Sequence, residues 1–574
     1  MSVTAADAAA TAAVALTNVA EGLTVNVIGS ATGALNNVTV TGTVADTDKN
    51  GTVANTTVAV TAGKDVESVS VKSAVASTLT VADGAGTKKV STVDASASTS
   101  AVTYNAAATV ANVKTGAGND TATLNTSLDA TVKAASVSTG AGNDTVNVGA
   151  VVGTAATGQT VAVDAGEGND TINLTIAAGV TYNVTAGAGD DTVVITGTVK
   201  TTDKIDGGVG TDVVSLNNNA ALVTDDYIVF NKVLTNFETL KLNTATTAFD
   251  ASQLAATYNT INLAAGSAVT KVGSQALIAN GALTATAAGY VLDADANTTG
   301  NQTTYVGTLN ITEKASGTVT AGAQTVNLTV EGAKANAPTA TAAVLAGEAK
   351  SATVTLSAGT DTKGTVATSD DTFVASTVAV TTADAAGSLK DLASLTLSGN
   401  GAATVINAVD TKLVSVDASG LNSVAANGTA AAGLTYTSSN ALAETIKLGA
   451  GLDNVTLNAS TYAAMDKVEG LKLVDNAAIA GFQLDATKSD DIGLSGGAVF
   501  TKFTTAQTDL DLALKDAAAV TTSDNLVFQL GGNTYIYQDV GGALGAANNV
   551  LDAGDTLVQL VGTVDLDLLV AALA

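Results

Sequence analysis

The chain has 574 residues, with 52 acidic and 24 basic side chains and a formal net charge of −28. Its basic side chains are all lysines, and so acidic a surface excludes nucleic acid as a partner, because phosphate backbones are bound through clusters of Lys and Arg. Cysteine and histidine are absent, which excludes disulfides, removes the usual zinc and iron ligands, and leaves calcium, an ion that prefers oxygen, as the metal to consider.

The apolar composition favours stacked coils over a conventional globular core. Hydrophobic residues make up 46% of the chain, yet aromatic residues are only 3% and Trp is absent. A solenoid packs small aliphatic side chains between neighbouring coils, whereas a globular enzyme of this length usually buries large aromatic side chains. The core is therefore expected to consist of Ala, Val, Ile and Leu.

Residues 1–105 are predicted to form an N-terminal β-rich domain with a short leading helix within residues 2–20. Short β-branched runs separated by Gly, Asn and Asp follow this helix. In their midst, Asp46, Asp48 and Asn50 have the alternating oxygen side chains that open an EF-hand loop, but the twelfth position is Thr57 instead of Glu. We therefore consider both a calcium site and a simple Asx turn here.

Residues 106–217 contain five glycine turns that end in Asp and lead into short β-branched runs. The turns are Gly116-Ala-Gly-Asn-Asp120, Gly140-Ala-Gly-Asn-Asp144, Gly166-Glu-Gly-Asn-Asp170, Gly187-Ala-Gly-Asp-Asp191 and Gly208-Val-Gly-Thr-Asp212. Their final Asp residues recur at intervals of 24, 26, 21 and 21 residues. One turn per coil of a parallel β-helix explains this period, and each turn would then lie above the previous one. The pattern predicts an all-β fold built on a parallel β-solenoid, with additional β-rich domains and few short helices.

These turns are candidate calcium sites. Glycine reaches the positive φ values that let successive carbonyls converge, and the final Asp adds a carboxylate. The predicted ligands are Gly116, Gly118, Asn119 and Asp120; Gly140, Gly142, Asn143 and Asp144; Gly166, Gly168, Asn169 and Asp170; Gly187, Gly189, Asp190 and Asp191; and Gly208, Gly210 and Asp212. The alternative is that such tracts are tight turns without metal, because Asn and Asp bond to nearby backbone and tolerate left-handed geometry.

Residues 218–440 are predicted to form an irregular β-rich region, with a short helix near residues 249–257. Adjacent acids at 225/226, 370/371 and 490/491 raise the question of catalysis. Consecutive residues of a strand point to opposite faces, however, and the common general bases and nucleophiles His and Cys are missing. We therefore expect no enzymatic activity and no catalytic residues.

Residues 441–574 are predicted to form a C-terminal β region. A sixth turn, Gly449-Ala-Gly-Leu-Asp453, precedes a β-branched run, and Asp453 is a further candidate ligand although Leu452 replaces the usual Asn or Asp. Beyond it, residues 525–539 and 555–562 read as strands, and the chain ends in an acidic, aliphatic segment at residues 565–574.

The glycine turns are similar to those of the repeats-in-toxin (RTX) superfamily, and the C-terminal segments resemble the end of the surface-layer (S-layer) protein of Caulobacter and its relatives. The phrases at 234–242 and 465–473 also look like a recurrent element of those proteins. The resemblance implies an RTX-like solenoid that binds Ca²⁺, a C-terminal type I secretion signal, self-assembly at the cell surface and lipopolysaccharide or another surface anchor as a partner. Family repeats open with a double glycine, whereas Thr115, Thr139, Ala165 and Ala186 precede the first four turns and only Gly207 conforms.

The sequence leaves three hypotheses. The first is a structural subunit of an extracellular S-layer lattice that calcium assembles and rigidifies. The second is a calcium-stabilised RTX adhesin or an ice-binding surface module, although unequal coil intervals argue against the regular array that ice binding needs. The third is a secreted enzyme, disfavoured by its missing catalytic residues. The N-terminus shows no conventional signal peptide, and no stretch approaches the roughly 20 apolar residues of a membrane-spanning helix.

Overall fold

The computed structural model describes most of the chain and shows two compact units. It describes all residues except 7–8, 47–53, 108, 126, 129–131, 150–151, 154–157, 218–223, 289, 291–305, 333, 336–340, 362–371, 385–387, 423–431, 474–490, 495–498, 521–523, 541–549 and 574. The first unit comprises Met1–Thr244 and Gln253–Asn262, and the second comprises Ala245–Ser252 and Leu263–Ala574.

The first unit contains two long parallel sheets and one α-helix, α1 (Thr224–Val233). Its strands are β1 (Ser2–Thr4), β2 (Thr11–Ala20), β3 (Thr24–Ile28), β4 (Asn37–Ala45), β5 (Thr56–Thr61), β6 (Ser68–Ser73), β7 (Ser77–Ala82), β8 (Thr92–Asp94), β9 (Val102–Asn105), β10 (Asn112–Lys114), β11 (Thr121–Leu124), β12 (Ser127–Leu128), β13 (Ala134–Ala141), β14 (Thr145–Val148), β15 (Val152–Gly153), β16 (Gln159–Glu167), β17 (Thr171–Thr175), β18 (Val180–Ala188), β19 (Thr192–Thr196), β20 (Lys204–Val209), β21 (Val213–Leu216), β22 (Leu234–Thr235) and β23 (Thr239–Leu242).

Successive coils contribute one strand to each sheet. The first sheet runs β1, β3, β5, β7, β9, β11, β14, β17, β19, β21 and β23, with every neighbouring pair parallel. The second sheet runs β2, β4, β6, β8, β10, β13, β16, β18, β20 and β22, again in parallel. The short strands β12 and β15 pair separately. This arrangement is a parallel β-solenoid.

Alternation of side chains explains why these segments form strands. In β17, Ile172 and Leu174 are buried while Thr171 and Asn173 face outward. Successive side chains of a strand point to opposite faces, so one residue in two enters the narrow interior. The same inward rows of Val, Ile, Leu and Ala recur from coil to coil. The predicted all-β fold, a parallel solenoid with few short helices, is confirmed.

The second unit also consists mainly of parallel coils. Its strands are β24 (Phe249–Asp250), β25 (Thr260–Ala264, which starts in the first unit), β26 (Ser267–Val272), β27 (Ala276–Asn280), β28 (Leu283–Ala287), β29 (Thr308–Glu313), β30 (Gly317–Gly322), β31 (Thr325–Glu331), β32 (Lys334–Ala335), β33 (Ala342–Glu348), β34 (Ser351–Ser357), β35 (Gly359–Asp361), β36 (Thr372–Val374), β37 (Ser376–Thr381), β38 (Ser394–Gly399), β39 (Gly401–Asn407), β40 (Ser415–Leu421), β41 (Ala432–Ser438), β42 (Thr445–Lys447), β43 (Leu452–Leu457), β44 (Asp466–Glu469), β45 (Asp491–Leu494), β46 (Thr501–Lys502), β47 (Asn525–Leu530), β48 (Asn533–Gln538) and β49 (Thr556–Val561). The helices are α2 (Leu510–Ala518), α3 (Leu566–Leu573) and the 3-10 turns Ala251–Gln253 and Leu389–Asp391.

The C-terminal strands differ from the coils before them because they pair in antiparallel fashion. Strand β48 pairs antiparallel with both β47 and β49, and β49 also joins β44 in parallel. Helix α2 packs Leu514 into a cluster that contains Phe528 and Tyr535, whose rings stack 5.4 Å apart. An aromatic cluster thus joins α2 to the antiparallel strands, whereas Tyr104, Tyr182 and Tyr436 are buried singly in the parallel coils.

The predicted leading helix is wrong. Residues 11–20 form β2, which pairs in parallel with β4, and Val14 and Leu16 are buried. The Ala-rich composition favours a helix locally, but the gain from adding a strand to the sheet and burying alternate side chains outweighs this preference. The helix predicted near 249–257 is reduced to β24 and the 3-10 turn that follows it.

The coils continue across two of the predicted domain boundaries. Strand β9, before residue 106, pairs with β11, and β21, before residue 218, pairs with β23. Residues 218–440 were expected to be irregular, yet the described strands β27, β29, β31, β34, β38 and β40 pair in parallel one after the other. The exceptions are a register shift between β38 and β40 and the antiparallel pair of β35 and β36. The turn motif is therefore one feature of a longer array of coils.

Candidate functional site

The glycines of the five turns occupy places where stacked coils leave no room for a side chain. The second glycine of each turn, such as Gly142, has a positive φ, here 126°. A Cβ atom on Gly142 would lie 2.2 Å from the carbonyl oxygen of Gly118 in the preceding coil, and one on Gly168 would lie 2.2 Å from that of Gly142. Close stacking of backbone is thus sufficient to explain this glycine column.

The final Asp residues of the turns form a second column that points into the protein. We call Asp120, Asp144, Asp170, Asp191 and Asp212 the Asp column; their side chains are 0–2% exposed. Each later carboxylate accepts, through Oδ1, the backbone N–H of the Asp in the preceding coil, at 2.7 or 2.8 Å. Five predicted ligands from five coils are therefore brought into one line.

Four oxygens of this column have no protein partner. The Oδ2 atoms of Asp144, Asp170, Asp191 and Asp212 are buried without a hydrogen bond. Thr139 lies beside Asp144, but its hydroxyl donates to the carbonyl of Ala165 at 2.9 Å. A buried polar atom without a partner is costly, so these four atoms require a proton, a water molecule or a cation.

The first turn differs from the other four. Asp120 Oδ1 accepts the N–H of Val102 at 2.6 Å, and its Oδ2 accepts the N–H of Gly116 at 3.1 Å. Asp453 in the sixth turn repeats this arrangement, with Leu434 and Gly449 as donors at 2.6 and 3.1 Å. In these two turns both carboxylate oxygens accept a backbone N–H.

Burial raises the pKa of the column. It raises the pKa of Asp144 to about 6, of Asp170 to about 7 and of Asp191 to about 6, and repulsion between neighbouring carboxylates adds to the effect. The pKa values of Asp120 and Asp212 are raised by burial as well. A nearby cation would reverse this cost because it stabilises the ionised form.

The penultimate residues of the turns form a separate, exposed ladder. The side chains of Asn119, Asn143, Asn169 and Asp190, which we call the Asx column, each accept through Oδ1 a backbone N–H of the following coil at 2.8 or 2.9 Å. They face solvent, whereas the Asp column faces inward. The two sets of predicted side-chain ligands therefore do not converge on one point.

Glu238 continues the line of the Asp column into the next coil, although it was not identified as a site residue from the sequence. The N–H of Asp212 donates to Glu238 Oε2 at 2.8 Å, and Glu238 immediately precedes β23 as each Asp precedes its strand. No glycine turn introduces Glu238. The sequence signal for Glu238 was its position directly before Thr239, the first residue of a strand, within the recurrent phrase at 234–242.

The structure describes only some of the other acidic residues considered in the sequence. Asp46 follows β4 and is partly exposed, whereas Asp48 and Asn50 lie outside the described residues. Of the adjacent acids, Asp225 and Asp226 lie on α1, and Asp491 begins β45; positions 370, 371 and 490 are outside the described part of the chain.

The residues of the Asp column fit a hard cation in their chemistry. The four unpartnered atoms are carboxylate oxygens, which Ca²⁺ prefers. Nowhere in the described part of the chain do three or more acidic side chains converge as a metal-binding group, so a cation here would need backbone carbonyls and neighbouring carboxylates together. A Cβ on Gly207 would lie 2.2 Å from the carbonyl oxygen of Asn236 and 2.8 Å from Asp212 Oδ2, so a close backbone contact explains this glycine, whereas the first four turns have Thr or Ala at the same position.

A regular row of hydroxyls lies on the outer side of the first sheet. Strand pairing aligns Thr24, Thr57, Thr78, Thr103, Thr121, Thr145, Thr171, Thr192, Val213 and Thr239. Two residues further along the strands, a second row contains Asn105, Thr123, Asn147, Asn173, Val194 and Ser215. We call these two rows the threonine face.

Comparison with known proteins adds no function to this geometry, because no protein-family model and no curated protein sequence matches the chain. In the part of the chain that the structure describes, no helix has the length and hydropathy needed to cross a membrane.

Proposed function

We propose that this chain is a structural subunit of an extracellular S-layer lattice, in which Ca²⁺ orders the solenoid. The observation that carries the proposal is the row of four buried, unpartnered carboxylate oxygens in consecutive coils of a chain with a net charge of −28. Ionised and unneutralised, these groups destabilise the coils. A divalent cation bound beside them would supply the missing charge and would lower repulsion within and between subunits.

The roles of the residues follow from their contacts. Backbone N–H groups hold Oδ1 of Asp144, Asp170, Asp191 and Asp212, so each carboxylate is fixed with Oδ2 available for a cation. The Asx column ties the same turns together from the solvent side. The column is thus organised before any ion binds, which reduces the entropy cost of binding.

The proposal extends to export and attachment on the basis of sequence resemblance. The segment that resembles a type I secretion signal comprises β47, β48, β49 and α3. Weak calcium sites suit an extracellular protein, since calcium is millimolar outside cells. Lipopolysaccharide or another surface component would provide the anchor. A structural role without catalysis fits a chain that contains neither His nor Cys.

Calcium binding is tested by the thermal stability of two matched variants. Wild-type protein is expected to melt at a higher temperature as calcium rises into the millimolar range, because a ligand that binds only the folded state stabilises it. Asp170→Asn keeps an acceptor for the N–H of Asp144 but removes a charge from the column, so its response to calcium should be smaller. Asp164→Asn removes an exposed carboxylate from β16 and should respond like wild type. A wild-type melting temperature unchanged by calcium would refute the cation site.

The lattice is tested by electron microscopy of purified protein. We expect regular sheets in calcium and their loss in EGTA. Isolated rods in both conditions would favour the adhesin hypothesis instead, and sheets that persist unchanged in EGTA would contradict assembly by calcium.

Ice binding is a second candidate because of the threonine face. Unequal coil lengths argued against it, but strand pairing keeps the threonines aligned although the turn interval varies from 21 to 26 residues. The extra residues lie between the strands, for example between β14 and β16. Thermal hysteresis of a freezing solution is the test, and its absence would remove this candidate.

A further inference from the structure

We propose that the threonine face of the first unit binds the same face of a second copy of this chain, as a two-fold symmetric pair. The inference deepens the proposed function, on which it rests, by assigning one of the surfaces that join subunits. It does not depend on the location of the calcium ions.

The distribution of charge favours this face as the contact surface. From Thr24 to Thr239 in the first row, and from Asn105 to Ser215 in the second, every residue is uncharged, and Lys241 follows Ser215 at the end of the second row. The outer side of the second sheet, by contrast, carries Lys114, Asp164 and Lys204. Two copies with a net charge of −28 repel each other, and they meet least repulsion where neither surface contributes charge.

The chemistry of the side chains suits contact between identical faces. Hydroxyl and amide groups each donate and accept hydrogen bonds, so a row of Thr and Asn can satisfy a second row of the same kind. The second row is already ordered: Asn173 donates through Nδ2 to Asn147 Oδ1 at 2.9 Å. Threonine is β-branched and has few rotamers to lose, which lowers the entropy cost of burying it.

The size of the face is sufficient for a stable pair. Ten aligned strands span about 43 Å at a strand spacing of about 4.8 Å, and outward rows with their flanking side chains cover a width of roughly 15–20 Å. The face therefore offers roughly 650–850 Å² per copy, close to the 800 Å² or so that each partner buries in a standard interface. A two-fold axis uses the same patch on both copies and so closes the assembly at two through this surface.

The absence of cysteine allows a direct test by cross-linking. Full overlap of two antiparallel faces places the axis near the middle of the first row, between Thr121 and Thr145. A Thr145→Cys variant should therefore form a disulfide-linked dimer under mild oxidation. Ser138→Cys introduces the same thiol on the outer side of β13 in the second sheet, where Ser138 is half-buried like Thr145. This control should stay monomeric under identical conditions.

A charge variant supplies the second measurement. Thr145→Lys brings two lysines together near the axis, and we expect dimerisation to weaken about tenfold or more in analytical ultracentrifugation, since like charges in contact repel each other. Ser138→Lys should leave the dimerisation constant unchanged. The melting temperature of each variant shows whether it folds. If Thr145→Lys does not fold, the paired cysteine variants decide the question.

Several results would overturn the pairing. A wild-type chain that stays monomeric at all accessible concentrations would do so, as would equal cross-linking of both cysteine variants. A monomer that shows thermal hysteresis would assign the face to ice instead. Sheets that form normally with Thr145→Lys would overturn the pairing but leave the lattice standing. Pairs without sheets, in any calcium concentration, would overturn the lattice and leave the pairing.

Discussion

The Asp column should make the calcium-free protein less stable at pH 8 than at pH 5. Burial raises the pKa of Asp144, Asp170 and Asp191 from the ordinary value of 3.8 to about 6, 7 and 6. A folded-state pKa above the unfolded one means that the folded protein binds more protons between these values. The stability that protonation provides is fully present below about pH 4 and is lost as the pH rises through 6 to 7.

The size of the effect follows from the same values. A difference of one pKa unit is worth about 1.4 kcal/mol. Between pH 5 and pH 8, loss of protons from the three carboxyls lowers the free energy of unfolding by about 5 kcal/mol if they titrate independently. Because neighbouring carboxylates repel each other, their titrations are coupled, and the expected loss is then about 3–5 kcal/mol. The chain has no histidine, so side chains with ordinary pKa values contribute little in this window.

Urea unfolding followed by circular dichroism at pH 5, 6, 7 and 8 in EDTA measures this dependence. Glu444 and Asp466 of the second unit also have pKa values raised by burial, to about 7 and 6, so the comparison with Asp170→Asn isolates the column. This variant should lose about 2–3 kcal/mol less than wild type over the range. Saturating calcium should flatten the wild-type profile, because the cation replaces the proton. A variant profile that matches wild type in EDTA would refute the reasoning.

Two further predictions concern the structure of the turns. Gly142→Ala should destabilise the first unit by about 2–4 kcal/mol, because its Cβ would lie 2.2 Å from the carbonyl of Gly118. Gly158→Ala, also at a positive φ but with no atom within 4 Å, should cost only about 1–2 kcal/mol; equal losses in urea unfolding would contradict the stacking argument. Glu238→Ala should cost about 1–3 kcal/mol and speed hydrogen exchange around Asp212, whereas Glu238→Gln keeps an acceptor and should change both less. Identical exchange in both variants would show that the 2.8 Å bond from Asp212 to Glu238 has no role in stability.

The solenoid was predictable because its signal is local and repeated. Alternating Thr-Ile-Asn-Leu runs, such as residues 171–174, specify which side chains enter the core, and the glycine turns specify where each coil bends. The strand at residues 11–20 was not predictable in the same way. Its Ala-rich sequence prefers a helix, and only pairing with β4, some 26 residues away, turns it into a strand. Pairing with the next coil and burial of Val14 and Leu16 therefore outweigh the local preference for a helix.

For the candidate site, the sequence motif predicts which residues belong to the turns, but only the structure shows the separate role of each residue. The Asp residues could be identified from the sequence, but the turn motif alone suggested that the glycines, the Asn residues and the carboxylates all serve to bind calcium. The structure separates them: steric stacking accounts for Gly142, backbone hydrogen bonds account for the Asx column, and both oxygens of Asp120 are satisfied by N–H groups. Among the described residues of the five turns, Oδ2 of the four later Asp residues is left without a hydrogen-bond partner.

Because the glycines and the Asx column are explained without a metal, only the carboxylates of the turns bear on calcium binding. If stacking alone had selected the turns, an amide or a hydroxyl at the final position could have accepted the same backbone N–H without placing a buried charge. A buried carboxylate whose second oxygen has no hydrogen-bond partner is costly when it is ionised at neutral pH, as the raised pKa values show. Such a carboxylate recurs in four consecutive coils. The feature that favours a cation is therefore not the glycine-rich turn itself but the repeated choice of a carboxylate where a neutral acceptor would stack equally well.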